Sequence, residues 1–199
     1  MKRAPFMPVA RAGIRHFAPG EDATEYAAGD FIVTHGDAWT SKLIRFGQRL
    51  RIHGDDRKYT HWNHVALIVS DGGDLIEALG AGVTATHISK YRPRELHLVR
   101  IGASPADRQQ AVDFGRWAAG LTGSSRQRYG FVTIASIAYT LLTGGKFTFA
   151  IDGEAICSGL VARALERTGA LFNRTPTHVM PADLAKYYEV EPPTPSAPA

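Results

Sequence analysis

Apolar residues fall into short runs and helical stripes that alternate along the chain. Phe31–Thr34 (FIVT) is a β-rich run, led in by Gly29-Asp30. Residues 39–50 place Trp39, Leu43, Ile44 and Phe46 at roughly helical spacing. Residues 49–61 are polar, basic and unpatterned, which predicts a loop. Residues 64–70 (HVALIVS) read as a strand, residues 71–74 (DGGD) as a turn by composition, and residues 75–78 as the returning strand. Leu96–Ile101 alternates and reads as another strand. No internal repeat is visible.

The second half is helical in pattern. Ser104-Pro105 opens a helix that runs to about Leu121, because serine caps and proline suits a first turn. Residues 129–142 read as a second, buried helix, and residues 147–151 as a short strand or extended link. A third helix spans residues 156–167, with Leu160, Val161, Ala164 and Leu165 on one stripe and Gly169 at its C-terminal cap. Pro181 begins a short last helix. Antiparallel strands with grouped helices define an α+β class. Residues 1–25 read as an extended or flexible arm, residues 26–190 as the domain, and residues 191–199 (EPPTPSAPA) as a disordered or polyproline-like tail.

Composition narrows this picture a little. The 199 residues are 44% hydrophobic, enough for one globular core and too many for a disordered chain. A net charge of +4 is compatible with an anionic partner without selecting one. Pro5, Pro8, Arg11 and Arg15 interrupt the N-terminus, so no signal peptide is visible. The longest apolar stretch, 131–142, is too short to span a bilayer. These features predict a cytoplasmic protein, or one exported without a visible signal peptide, with no transmembrane segment.

The single cysteine rules out an intramolecular disulfide, and a lone cysteine is ordinarily a small buried hydrophobe. Cys157 has a more specific context. It lies in the first turn of the predicted third helix, where free N–H groups and the helix dipole favour a thiolate and can bind an oxyanion. His64, at the head of an apolar strand, is the candidate base. Its plainer reading is a satisfied strand-end histidine. Glu77 is the only charged residue in LIEAL; pairing with an imidazole would relieve its burial and orient the ring. A hairpin centred near Ser70-Asp71 sets His64 and Glu77 face to face. One centred on Gly72-Gly73 puts Glu77 opposite Ile68, roughly 13 Å from His64 along the strand. His61 and His64 are three apart, and no cysteine cluster or second histidine pair completes a zinc set, so no metal or cofactor is expected.

The ordered pieces GDFI at 29–32, NHVALI at 63–68, IEA at 76–78, YG at 129–130 and ICSGLV at 156–161 resemble the permuted branch of the NlpC-type papain-like cysteine hydrolases, the YiiX/YebB-like group. The resemblance covers residues 29–188. It implies a circularly permuted papain-like fold, in which a small antiparallel sheet packs against the helix group carrying the nucleophile. It further implies Cys157 as nucleophile, His64 as base, Glu77 as the residue orienting His64, and Tyr129 and Ser158 as substrate-binding. Asp30 matches a structural Gly-Asp pair. Gly159 departs from the Cys-Ser-Glu of many permuted members, which leaves the substrate open.

The expected activity is hydrolysis of peptide or amide bonds, with cell-wall-type substrates as the targets. Two other readings stand beside it. One is a lipid-directed acyltransferase or thioesterase, as in the related lecithin:retinol acyltransferase-like proteins, with residues 131–142 flanking an acyl pocket. The other is a non-catalytic binding module. The basic segment 45–58 lacks the aromatic interleaving of a single-strand binder, so no specific nucleic acid is expected. The sequence leaves the oligomeric state open.

Overall fold

The computed structural model describes residues 11–36, 39–79, 82–122, 128–129, 154–155, 157–170, 172 and 175–193. Six strands form an antiparallel sheet: β1 (Arg11–Phe17), β2 (Phe31–Thr34), β3 (His64–Ile68), β4 (Asp74–Leu79), β5 (Gly82–His87) and β6 (Leu96–Ile101). Their spatial order is β1-β6-β2-β3-β4-β5. Four α-helices are described: α1 (Trp39–Arg51), α2 (Pro105–Ala118), α3 (Cys157–Glu166) and α4 (Pro181–Tyr187). The class is α+β. Among the described residues, no helix is long and apolar enough to cross a membrane.

Alternation along the strands supplies two buried faces. Phe31, Val33, Val65, Leu67, Ile76 and Val99 point to the helices, where they meet Val112 of α2 and Leu160, Val161 and Leu165 of α3. Ile32, Ala66, Ile68, Leu75 and Leu98 point the other way, under Phe17, Ile88 and Tyr91. A strand covered on both faces needs apolar residues at odd and even positions alike, which is why β2 and β3 read as unbroken apolar runs. Helix α2 comes closest at Gly115, where a Cβ would lie 2.8 Å from Leu67 Cδ2. Ser104 caps α2 by accepting the Asp107 N–H, as its position predicts.

Helix α3 carries Cys157 as its first residue. Leu160, Val161 and Leu165 are at most 1% exposed and seat the helix on the sheet. Truncating such a leucine costs about 2–5 kcal/mol, so the position of Cys157 rests on core packing. Asp30 is likewise structural: it is fully buried, accepts the Ala27 N–H, and pairs with Arg100 at 3.0 Å and Arg108 at 2.5 Å.

Several segments depart from the sequence reading. Residues 11–17, read as part of the arm, form edge strand β1, paired with β6 from Arg11↔Ile101 to Phe17↔Leu96. Their aperiodic sequence carries no strand signal because pairing with β6 supplies the order. Residues 49–61 are not a loop: α1 continues to Arg51, and Gly54–His61 is a 3-10 helix. β5 was not anticipated, since its GVTATH pattern is half exposed. Tyr129, read as a helix start, instead lies in the two-residue strand β7 (Arg128–Tyr129), parallel to β8 (Glu154–Ala155). The rest of that expected helix, the 147–151 link, residues 1–10 of the arm and residues 194–199 of the tail lie outside the described residues.

Candidate active site

The approach to His64 is fastened by side-chain bonds to backbone. Trp62 is fully buried, and its indole N–H donates to Val190 O at 2.7 Å. Gln48, also fully buried, donates to Trp62 O and accepts the Ala182 N–H, both at 2.8 Å. The Asn63 amide closes a reciprocal pair with Gly36, accepting its N–H at 2.8 Å and donating to its carbonyl at 2.9 Å. These bonds tie α1, α4 and the chain after β2 to the two residues preceding His64. They fix where β3 begins.

The β3–β4 hairpin sets the next contact. Leu67 pairs with Ile76, Ile68 pairs with Leu75, and the Val69 N–H donates to Asp74 O at 2.8 Å. The connecting loop is residues 70–73, closed by the Gly73 N–H donating to Ser70 O at 3.1 Å, with Gly73 at φ +93°. Its midpoint falls between Asp71 and Gly72, so neither hairpin considered from the sequence is the observed one. Continuing this register places Glu77 opposite Ala66, roughly 7 Å along the strand from His64 and on the same face. Diagonal pairs at that separation lie within reach of long side chains. The His64 ring completes the contact, with Nε2 at 2.8 Å from Glu77 Oε2.

Glu77 is fully buried, so an unpaired charge there would cost several kcal/mol. Four donors surround it: His64 Nε2, the Tyr91 hydroxyl, the Thr86 hydroxyl and Lys90 Nζ at 2.8 Å. Burial pushes its carboxyl up, but the hydrogen bond and charge of His64, with Lys90 and Thr86, hold it well below the usual carboxylate range. Burial raises the Tyr91 phenol, and the Glu77 charge raises it further, so it stays protonated as a donor. The Tyr91 ring stacks against His64, with centroids 6.0 Å apart. Thr86, Lys90 and Tyr91 were not singled out from the sequence. They come from β5 and the 3-10 helix Ile88–Tyr91, whose pattern gives no hint that they converge on one carboxylate.

Cys157 is 3% exposed and stands against His64. Nε2 is committed to Glu77, which leaves Nδ1 as the ring nitrogen available to the thiol. Burial raises the thiol, yet the charge and hydrogen bond of His64, with the N–H groups of Val65 and Ser158, bring it below its ordinary value. Burial lowers His64, but the charge and hydrogen bond of Cys157, and then those of Glu77, raise it to about 9. The arrangement favours a thiolate–imidazolium pair, with the imidazole oriented by a buried carboxylate and the sulfur at a helix N-terminus.

The structure therefore brings Cys157, His64 and Glu77 together. The Ser158 hydroxyl is fully buried and donates to Val179 O at 2.6 Å, which ties the start of α3 to the segment before α4. The part of Ser158 that faces the sulfur is its backbone N–H. The Tyr129 backbone pairs with Ala155, two residues before Cys157, and its side chain lies outside the described residues. No protein-family model matches the chain, and no curated protein matches it.

Proposed function

We propose that this chain is a cysteine hydrolase of the papain-like kind, in permuted order and similar to the NlpC-type enzymes, cleaving peptide or amide bonds through Cys157, His64 and Glu77. The observation that carries the reading is one imidazole held by Glu77 at 2.8 Å through Nε2 while it hydrogen-bonds the Cys157 thiol. The Cys157 thiolate attacks the carbonyl carbon, and the free N–H groups of the first turn of α3 receive the developing oxyanion. The His64 imidazolium gives its proton to the leaving amine as the C–N bond breaks. Neutral His64 then takes a proton from water, which cleaves the thioester and releases the acid and the thiolate. Glu77 stays ionised throughout and stabilises the imidazolium. The chain order of histidine strand, carboxylate strand and nucleophile helix is that of the permuted branch.

Two pH profiles test this. A free thiol of pKa about 8.5 is only about 0.3% thiolate at pH 6. Wild-type Cys157 should still react rapidly with iodoacetamide at that pH, and His64→Ala should restore the free-thiol dependence. Turnover needs the imidazolium as well, so it should decline as pH rises through about 9 while alkylation does not. A folded pKa raised from 6.5 to about 9 adds stability that is full below pH 6.5 and fades towards pH 9. Slow alkylation, or a profile that His64→Ala leaves unchanged, would make Cys157 a structural residue and overturn the proposal.

A further inference from the structure

A second cluster of titratable side chains lies at the other side of the sheet. His16 of β1 is the direct cross-strand partner of His97 of β6, and their ring centroids are 4.7 Å apart. Glu95 lies two residues before His97, just ahead of β6. One ligand atom from each of His16, Glu95 and His97 lies within 4.8 Å of the others. Glu95 Oε1 is 3.3 Å from His16 Nε2, and Glu95 Oε2 is 3.2 Å from His61 Nε2.

His97 makes this more than a charge cluster. It is 8% exposed, yet neither ring nitrogen has a hydrogen-bond partner among the described residues. A buried imidazole with both nitrogens unpaired is costly, and native structures rarely leave one so. Its neighbours Trp62 and His16 make ring contacts with it.

We propose that His16, Glu95 and His97 form a binding site for a divalent transition-metal ion, with zinc the best match. Two imidazoles and one carboxylate suit zinc better than calcium or magnesium, which prefer all-oxygen shells. Ligand atoms around tetrahedral zinc stand about 3.4 Å apart. Closure from the present spacing asks for a shift on the order of 1 Å, which the His16 side chain, 43% exposed, is free to make. His61 holds the second carboxylate oxygen and takes the outer-shell place that orients a ligating acid. His61 is itself stacked on His35, at 4.6 Å between centroids, so its ring is held in place. Solvent reaches the cluster past His16, leaving the fourth position to water. The bound ion would clasp β1, the edge strand, to β6. Strand β2 separates this cluster from β3, so it lies roughly 10 Å of sheet away from the His64 strand and shares no residue with the proposed hydrolase site.

The test uses the full chain, stripped by chelator and titrated with Co²⁺ and Zn²⁺. Expected are one equivalent of Co²⁺ with the visible absorption of a low-coordinate N/O site, its displacement by Zn²⁺, and a metal-dependent rise in Tm. His16→Ala and Glu95→Gln should each weaken binding more than His61→Ala, whose loss should fall in the range of about 10- to 100-fold typical of an outer-shell partner. Cys157→Ala should bind as wild type does. Substoichiometric binding by the wild type, affinity indifferent to His16→Ala and Glu95→Gln, or binding lost in Cys157→Ala would each overturn the site.

Discussion

Cys157→Ala abolishes hydrolysis of any substrate that the wild-type chain turns over, by a factor on the order of 10⁵ to 10⁶ in kcat/KM, and leaves the fold in place. The loss is large because, in the proposed mechanism, sulfur is the atom that bonds to the substrate carbon; with a methyl group there, His64 and Glu77 would have no nucleophile to serve. The fold survives because a thiol and a methyl group differ little in volume. The seat of α3 depends on Leu160, Val161 and Leu165, which the substitution does not touch. Steady-state rates and a urea unfolding midpoint, measured on the same preparation, separate the two effects. Turnover that survives in the variant would exclude Cys157 as the nucleophile. A lost midpoint would mean that the thiolate–imidazolium pair is a main support of the fold, and Cys157→Ser would then be the variant to assay.

The second large effect divides between activity and stability at Glu77. Glu77→Ala leaves Tyr91, Thr86, Lys90 and His64 without their shared acceptor at a fully buried position. Removing one partner of such a network costs about 3–5 kcal/mol, which for a chain of this length lowers Tm by roughly 6–20 °C. Glu77→Gln keeps the volume and one acceptor oxygen for the His64 ring but removes the charge that stabilises the imidazolium. Its turnover should fall by about 10² to 10⁴, less than in His64→Ala, and its alkaline limb should move below pH 9. If Glu77→Gln proves the more damaging of the two, Glu77 does more than orient His64. If Glu77→Gln and Glu77→Ala melt together, the buried hydrogen bonds contribute little and the charge alone matters.

These effects trace back to features that differ in how far the sequence shows them. The cores of β2, β3 and β6, the capped start of α2 and the amphipathic α3 follow from local pattern, because each is specified within a few neighbouring residues. The same holds for placing Cys157 at a helix N-terminus and for finding Glu77 anomalous in an apolar strand. The contact between His64 and Glu77 did not follow. It depends on a loop of residues 70–73 whose register differs from either symmetrical alternative, and each such step in register moves Glu77 two residues, roughly 7 Å, along β3. Burial of Glu77 is tolerated only because Thr86, Lys90 and Tyr91 arrive from β5 and a 3-10 turn, elements with almost no periodic signal.

The arm at residues 11–17 illustrates the same limit. Its sequence specifies no strand; hydrogen bonds to β6 impose one, and that pairing alone sets His16 beside His97. Sequence by itself singled out Cys157, His64 and Glu77 as candidates and showed which faces seek burial, since periodicity and helix-end electrostatics are local. Only the tertiary structure decided which of those residues meet, since register, edge pairing and the satisfaction of buried polar groups are set by partners distant in the chain.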